Sequence, residues 1–98
     1  MLGAVFIGDE VTGAGYRLAG LRVVAAGPDE AGEALASARR EDAALILIGA
    51  GSAGGIDGDE LERVHRQGAP PVVVVPDAQG GEPPDLAAVI NRAFGLEQ

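Results

Sequence analysis

The run Ala44-Leu45-Ile46-Leu47-Ile48, closed by Gly49-Ala50-Gly51-Ser52-Ala53-Gly54, decides how the rest of the chain is read. Consecutive apolar residues without polar alternation belong to a strand covered on both faces, as in a parallel sheet, and the glycines after it mark a change of direction. Three further runs are read the same way, at residues 4–7, 21–25, where Arg22 is the one polar residue, and 72–75. Parallel neighbours need crossover connections, and each of the three intervals between the runs is long enough to hold a helix. The expectation is a βαβα rhythm with four strands.

The intervals carry helix signals of different strength. A helix is expected over 57–67, because Asp57 and Glu60 stand at capping-box spacing, Ile56 and Leu61 form a hydrophobic staple, and Gly68 and Pro70-Pro71 end it. Another follows Gly27-Pro28, with Asp29 and Glu30 in its first turn, Arg39-Arg40 in its last, and a small inward face of Ala31, Ala34, Leu35 and Ala38. A terminal helix is expected after Pro83-Pro84-Asp85, with Leu86, Val89, Ile90, Ala93 and Phe94 on one stripe and Gly95 as its stop. Residues 79–82, Gln-Gly-Gly-Glu, read as a loop. The helix over 12–19 is the weak one: Gly13 and Gly15 each cost about 1 kcal/mol relative to alanine, so close packing or a partner must compensate. Together these predict one α/β domain over residues 1–98, flavodoxin-like or receiver-like, with a parallel sheet ordered 2-1-3-4 and helices on both faces.

Composition narrows the function. Ninety-eight residues bury only about 60 to 65% of the unfolded surface, which leaves little interior for a cofactor, and none is expected. A net charge of -8, with no place where the basic residues gather, argues against nucleic acid and anionic lipid as partners. All the basic residues are arginine, so a phosphate-binding P-loop lysine and Schiff-base chemistry are excluded, and the lack of cysteine removes thiol catalysis and most zinc sites. No stretch reaches the roughly 18 apolar residues of a membrane span, and the start lacks a basic leader, so a cytoplasmic protein is expected.

Three local patterns invite chemistry. Gly49, Gly51 and Gly54 satisfy GxGxxG directly after a predicted strand, and Asp77 lies beyond the next strand, roughly 20 residues on, where a ribose-binding acid falls. A small nucleotide-binding module is therefore one reading. The helix that would offer its N-terminus to phosphate begins Asp57-Gly58-Asp59-Glu60, however, and these carboxylates favour a flexible glycine-rich surface loop instead. Asp9-Glu10 ends the first strand, where a receiver domain holds Mg²⁺. The third strand ends in Ile48-Gly49 in place of a phosphoacceptor aspartate, and no lysine exists, so acidic capping of the next helix is favoured and only a receiver-like adaptor without phosphotransfer survives. Ser52 and His65 are the single imaginable nucleophile and base, without a nucleophile elbow around the serine, and a metal site is equally unsupported.

Ile7-Gly8-Asp9-Glu10 followed by Gly15-Tyr16-Arg17-Leu18-Ala19-Gly20 resembles the N-terminal signature of the F subunits of V-type and archaeal-type (A-type) rotary ATPases and ATP synthases, a strand, an acidic turn and a Gly-Phe-Arg-Leu-Ala-Gly helix. The likeness continues through Pro28-Asp29-Glu30-Ala31, Leu45-Ile46-Leu47-Ile48, Pro71-Val72-Val73-Val74-Val75-Pro76 and Ile90-Asn91-Arg92-Ala93-Phe94-Gly95, over residues 4–96. Tyr16 replaces the usual phenylalanine, and the glycine loop at 49–55 replaces a more polar stretch.

The resemblance implies a non-catalytic subunit of the central rotor. It would be clamped to the coiled-coil shaft formed by the D subunit, close to the component that seats the shaft on the membrane ring, peripheral to the membrane, and in reach of the catalytic A/B head through its C-terminal segment. In that role it helps couple ATP hydrolysis or synthesis to proton or sodium transport. The expected partner surface comprises Gly15, Tyr16, Arg17 and Leu18 on the first helix and Arg92, Phe94 and Leu96 at the end of the last. There Gly13 and Gly15 would let Tyr16 and Leu18 approach a partner helix, and Arg17 would pair with acids across the joint.

Overall fold

The computed structural model describes residues 2–78. In chain order these form β1 (Leu2–Gly8), α1 (Glu10–Leu18), β2 (Arg22–Ala25), α2 (Ala31–Arg40), β3 (Ala43–Gly49), the single turn α3 (Ala50–Ala53), α4 (Gly58–Gln67) and β4 (Val72–Val75). All strands are parallel and lie in the order β2-β1-β3-β4, the expected topology. Ile7 is in register with Val24 on one side and with Ile48 on the other, and Ile48 in turn with Val74. The expected terminal helix, the loop at 79–82, and Arg92, Phe94 and Leu96 lie outside the described residues.

The continuous apolar runs split by alternation once the sheet forms, because successive side chains point to opposite faces. Val5, Ile7, Ile46, Ile48 and Val72 face one layer, where α2 supplies Ala31, Leu35 and Ala38, α4 supplies Val64, and the two staple residues both join, Ile56 as a buried member and Leu61 half-buried against it. Phe6, Leu45, Leu47 and Val75 face the other layer, which Tyr16 of α1 joins together with Leu21.

Element ends follow local chemistry. The first helix begins at Glu10, two residues ahead of the expected start, because the Asp9 carboxylate accepts the Thr12 N–H at 3.0 Å and caps it. The Thr12 hydroxyl and then its backbone N–H, both serving the carboxylate, hold Asp9 below the ordinary aspartate range. Leu21 belongs to the turn and not to β2: its N–H donates to Tyr16 O at 3.0 Å, with Gly20 at φ +97° between them. Asp57 caps α4 through the Asp59 N–H at 2.8 Å, while Glu60 pairs with Arg63 and leaves the capping box half made. Gly68, at φ +65°, closes that helix in the left-handed region.

The weak first helix finds its compensation in packing. A Cβ on Gly13 would stand 2.7 Å from Val23 Cγ1 and 3.7 Å from the Phe6 ring, so glycine lets α1 lie close on β1 and β2. The segment expected to be a flexible glycine loop is corrected to an anchored turn. Ser52 is buried and its hydroxyl donates to Ala26 O at 2.6 Å, Ala53 enters the core, and Gly55 meets the Pro28 carbonyl so closely that a Cβ there would sit 2.0 Å from its oxygen.

Candidate docking surface

Helix α1 has a strongly divided surface. Thr12, Gly13 and Tyr16 are buried, as the spacing i, i+1, i+4 requires of one face. Tyr16 is 1% exposed and stacks on Phe6 with ring centroids 4.7 Å apart. The expectation that Tyr16 meets a partner helix is therefore corrected: its ring serves the sheet. Two residues on, a rotation of about 200° carries Leu18 to the opposite face, where it is 91% exposed.

The outward face of α1 is an apolar stripe of small and medium residues. Val11, Ala14 and Leu18 stand at i, i+3 and i+7, with the half-buried Gly15 beside them. Val11 is 63% exposed, and it and Leu18 are two of the three exposed large hydrophobic residues among the described ones, the third being Val74 at 41%. Arg17 does not stand free: its guanidinium lies 3.8 Å from the carboxylate of Glu10, at the opposite end of the helix, so this ion pair borders the stripe. Ala14 and Gly15 keep the centre low, which allows a second helix axis to approach within the usual 8 to 10 Å, roughly. Sequence reasoning placed Gly15, Arg17 and Leu18 on this surface and missed Val11 and Ala14. Their shared spacing with Leu18, out of phase with Thr12 and Tyr16, was the available signal.

At the carboxyl edge of the sheet the structure brings Gly49, Gly51 and Asp77 together. The Gly51 N–H donates to the Asp77 carboxylate at 3.1 Å, and a Cβ on Gly49 would stand 2.7 Å from the same carboxylate. Gly54 lies at the far end of the turn as the cap of α3. The acid expected to hold a ribose thus takes the backbone donor that a phosphate would need, and Asp9, Glu10 and Glu30 line the same cleft. Such a lining repels a nucleotide phosphate. The next residue extends this tether, since the Ala78 N–H donates to the buried Thr12 hydroxyl at 2.8 Å.

Ser52 and His65 are not a catalytic pair in this arrangement. The serine hydroxyl is spent on Ala26 O, and the His65 ring places Nδ1 3.2 Å from Val72 O on β4, which makes that nitrogen the proton donor. No cluster of three or more His, Cys, Asp or Glu arranged for a metal occurs among the described residues, and no helix among them is long and apolar enough to cross a membrane.

No curated protein matches the chain. The family model described as ATP synthase (F/14-kDa) subunit matches residues 4–92, which takes in β1 from Ala4 onward, the other three strands and α1 to α4. On that match, the chain whose four-stranded parallel sheet carries an exposed apolar stripe on its first helix belongs to the ATP synthase (F/14-kDa) subunit family.

Proposed function

We propose that this chain is a non-catalytic component of the central rotor, and that it docks through the outer face of α1 on a coiled-coil shaft. The observation that carries the reading is the pairing of Val11 and Leu18, exposed at i and i+7 with Ala14 and Gly15 low between them. Large apolar side chains held in water on one helical stripe offer burial energy to a partner, and a helix is the shape that fits a low-centred stripe. Membership of an ATP synthase subunit family supplies the setting for such a partner.

In this reading Gly15 permits close approach, Leu18 and Val11 are the apolar anchors, and Arg17 with Glu10 forms the polar rim. Arg92, Phe94 and Leu96 remain proposed contacts of the C-terminal segment with the catalytic head. The D subunit of the shaft and the component joining it to the membrane ring are the neighbours, the location is peripheral to the membrane on the cytoplasmic side, and the role is to help couple ATP turnover to proton or sodium movement. The test is direct. The purified chain and its cognate shaft protein, mixed at micromolar concentration, are expected to elute together on size exclusion, and Leu18→Asp is expected to separate them. Separate elution of the unaltered pair refutes the proposal.

A further inference from the structure

Helix α2 lies over β1 and β3, and among the described residues the neighbouring face of the edge strand β2 is only partly covered, with Val24 half-buried against that layer. The result is a trough of about 510 Å³ between β2 and α2, with a floor that includes Val24 and Ala34. Small residues on α2 keep it open: Ala34 and Ser37 are half-buried where longer side chains would reach across to β2. Its rim is acidic, with Asp29, Glu30 and Glu33 along one side and the Glu41–Arg22 ion pair, at 2.9 Å, closing one end. Glu33 lies 3.5 Å from Arg40, while none of the ion pairs among the described residues involves Asp29 or Glu30. Towards the carboxyl edge the trough shares Glu30 with the cleft that holds Asp9 and Asp77, so the negative field continues along its length.

We propose that this trough seats a basic, amphipathic segment of the partner that α1 meets. Apolar side chains of that segment lie on Val24 and Ala34, and its arginine or lysine groups face Asp29, Glu30 and Glu33. Charge complementarity selects the occupant: an apolar floor gives attachment, and the acidic rim admits cationic flanks while repelling acidic ones. The proposal rests on the docking reading and extends it, because α1 and α2 lie on opposite faces of the sheet towards its β2 edge and one partner gripping both would clasp that edge.

The experiment measures binding of the whole chain to its cognate shaft protein at low and high salt, for three variants checked by thermal melting. Asp29→Asn with Glu33→Gln is expected to weaken binding about 5-fold at low salt and to flatten the salt dependence, as loss of rim charges does. Ala34→Leu, which fills the trough, is expected to weaken it about 10-fold, the size of one lost apolar contact. Leu18→Asp reports on the α1 reading alone. If the trough variants bind within about 2-fold of the unaltered chain while Leu18→Asp fails, the trough proposal falls and the docking reading stands. If the unaltered chain does not bind the shaft, the docking reading falls, and the trough is judged with a synthetic leucine–arginine helical peptide of about 12 residues, roughly three turns. Amide shifts at Val24, Glu30 and Ala34 that Ala34→Leu removes support it; shifts confined to other residues, or none, overturn it.

Discussion

Tyr16 and Leu18 stand two positions apart on α1 and are expected to respond to truncation in opposite ways. Tyr16→Ala removes a ring that is 1% exposed and stacked on Phe6 at 4.7 Å. Emptying such a site costs about 3–5 kcal/mol, of which the ring pair itself accounts for about 0.5–1.5. In a domain of this size each kcal/mol is worth roughly 4–8 °C, so the melting temperature should fall by at least about 12 °C. Leu18→Ala removes a side chain that is 91% exposed and should change stability by no more than about 0.5 kcal/mol. Its effect belongs to the complex. Burying a leucine is worth about 1.5–3 kcal/mol, and truncation to alanine forfeits much of that, or about 10-fold in affinity for the shaft. Thermal denaturation followed by circular dichroism reads the first quantity, and titration calorimetry against the cognate shaft protein reads the second. Comparable losses of stability in the two variants, or an affinity indifferent to Leu18, would show that the division of α1 into a core face and a docking face is wrong.

Asp9→Ala should cost about 1 kcal/mol through loss of the α1 cap, measured by urea denaturation. Because the Asp9 pKa is lowered on folding, its stabilisation is complete above the unfolded-state value and is lost as pH falls through the folded one; the gap between the unaltered chain and Asp9→Ala should therefore close on acidification below about pH 4. Gly55→Ala should destabilise by about 2 kcal/mol or more, since its Cβ would strike the Pro28 carbonyl, a backbone atom that cannot swing aside as the end of a flexible side chain can. Gly58→Ala, in open space in the first turn of α4, should instead stabilise by about 0.5–1 kcal/mol; thermal melts of the two distinguish them. Calorimetry with AMP, ATP and NAD at millimolar concentration should show no binding, because the Asp77 carboxylate holds the Gly51 N–H; saturable heat would reinstate the nucleotide reading.

The strands, their parallel order and the start of α4 were legible because the information is local, whereas α1 starts two residues ahead of the expected position and α2 starts at Ala31, with Asp29 and Glu30 before its first turn and not in it. Apolar runs of four or five residues, a capping aspartate before a helix and glycine after one act over a turn or less, and Asp9, Asp57 and Gly68 do what their positions require. The family likeness was legible for the same reason, since the Gly15 to Gly20 segment is a contiguous signature. The orientation of that helix was not: the segment contains Tyr16 and Leu18 alike, and nothing within it says which of the two turns inward. That choice depended on Phe6 and Val23, supplied by two strands on either side in the chain, against which the buried face could stack and close. The glycine turn after β3 was likewise undetermined by its own residues, because its anchors are Ala26 and Asp77, each about 25 residues away along the chain, and only the assembled sheet edge brings them within hydrogen-bonding distance. The amino-acid order thus specified the elements and their succession, whereas the tertiary structure decided which faces remain in water, since exposure is a property of what packs alongside a residue and not of the residue itself.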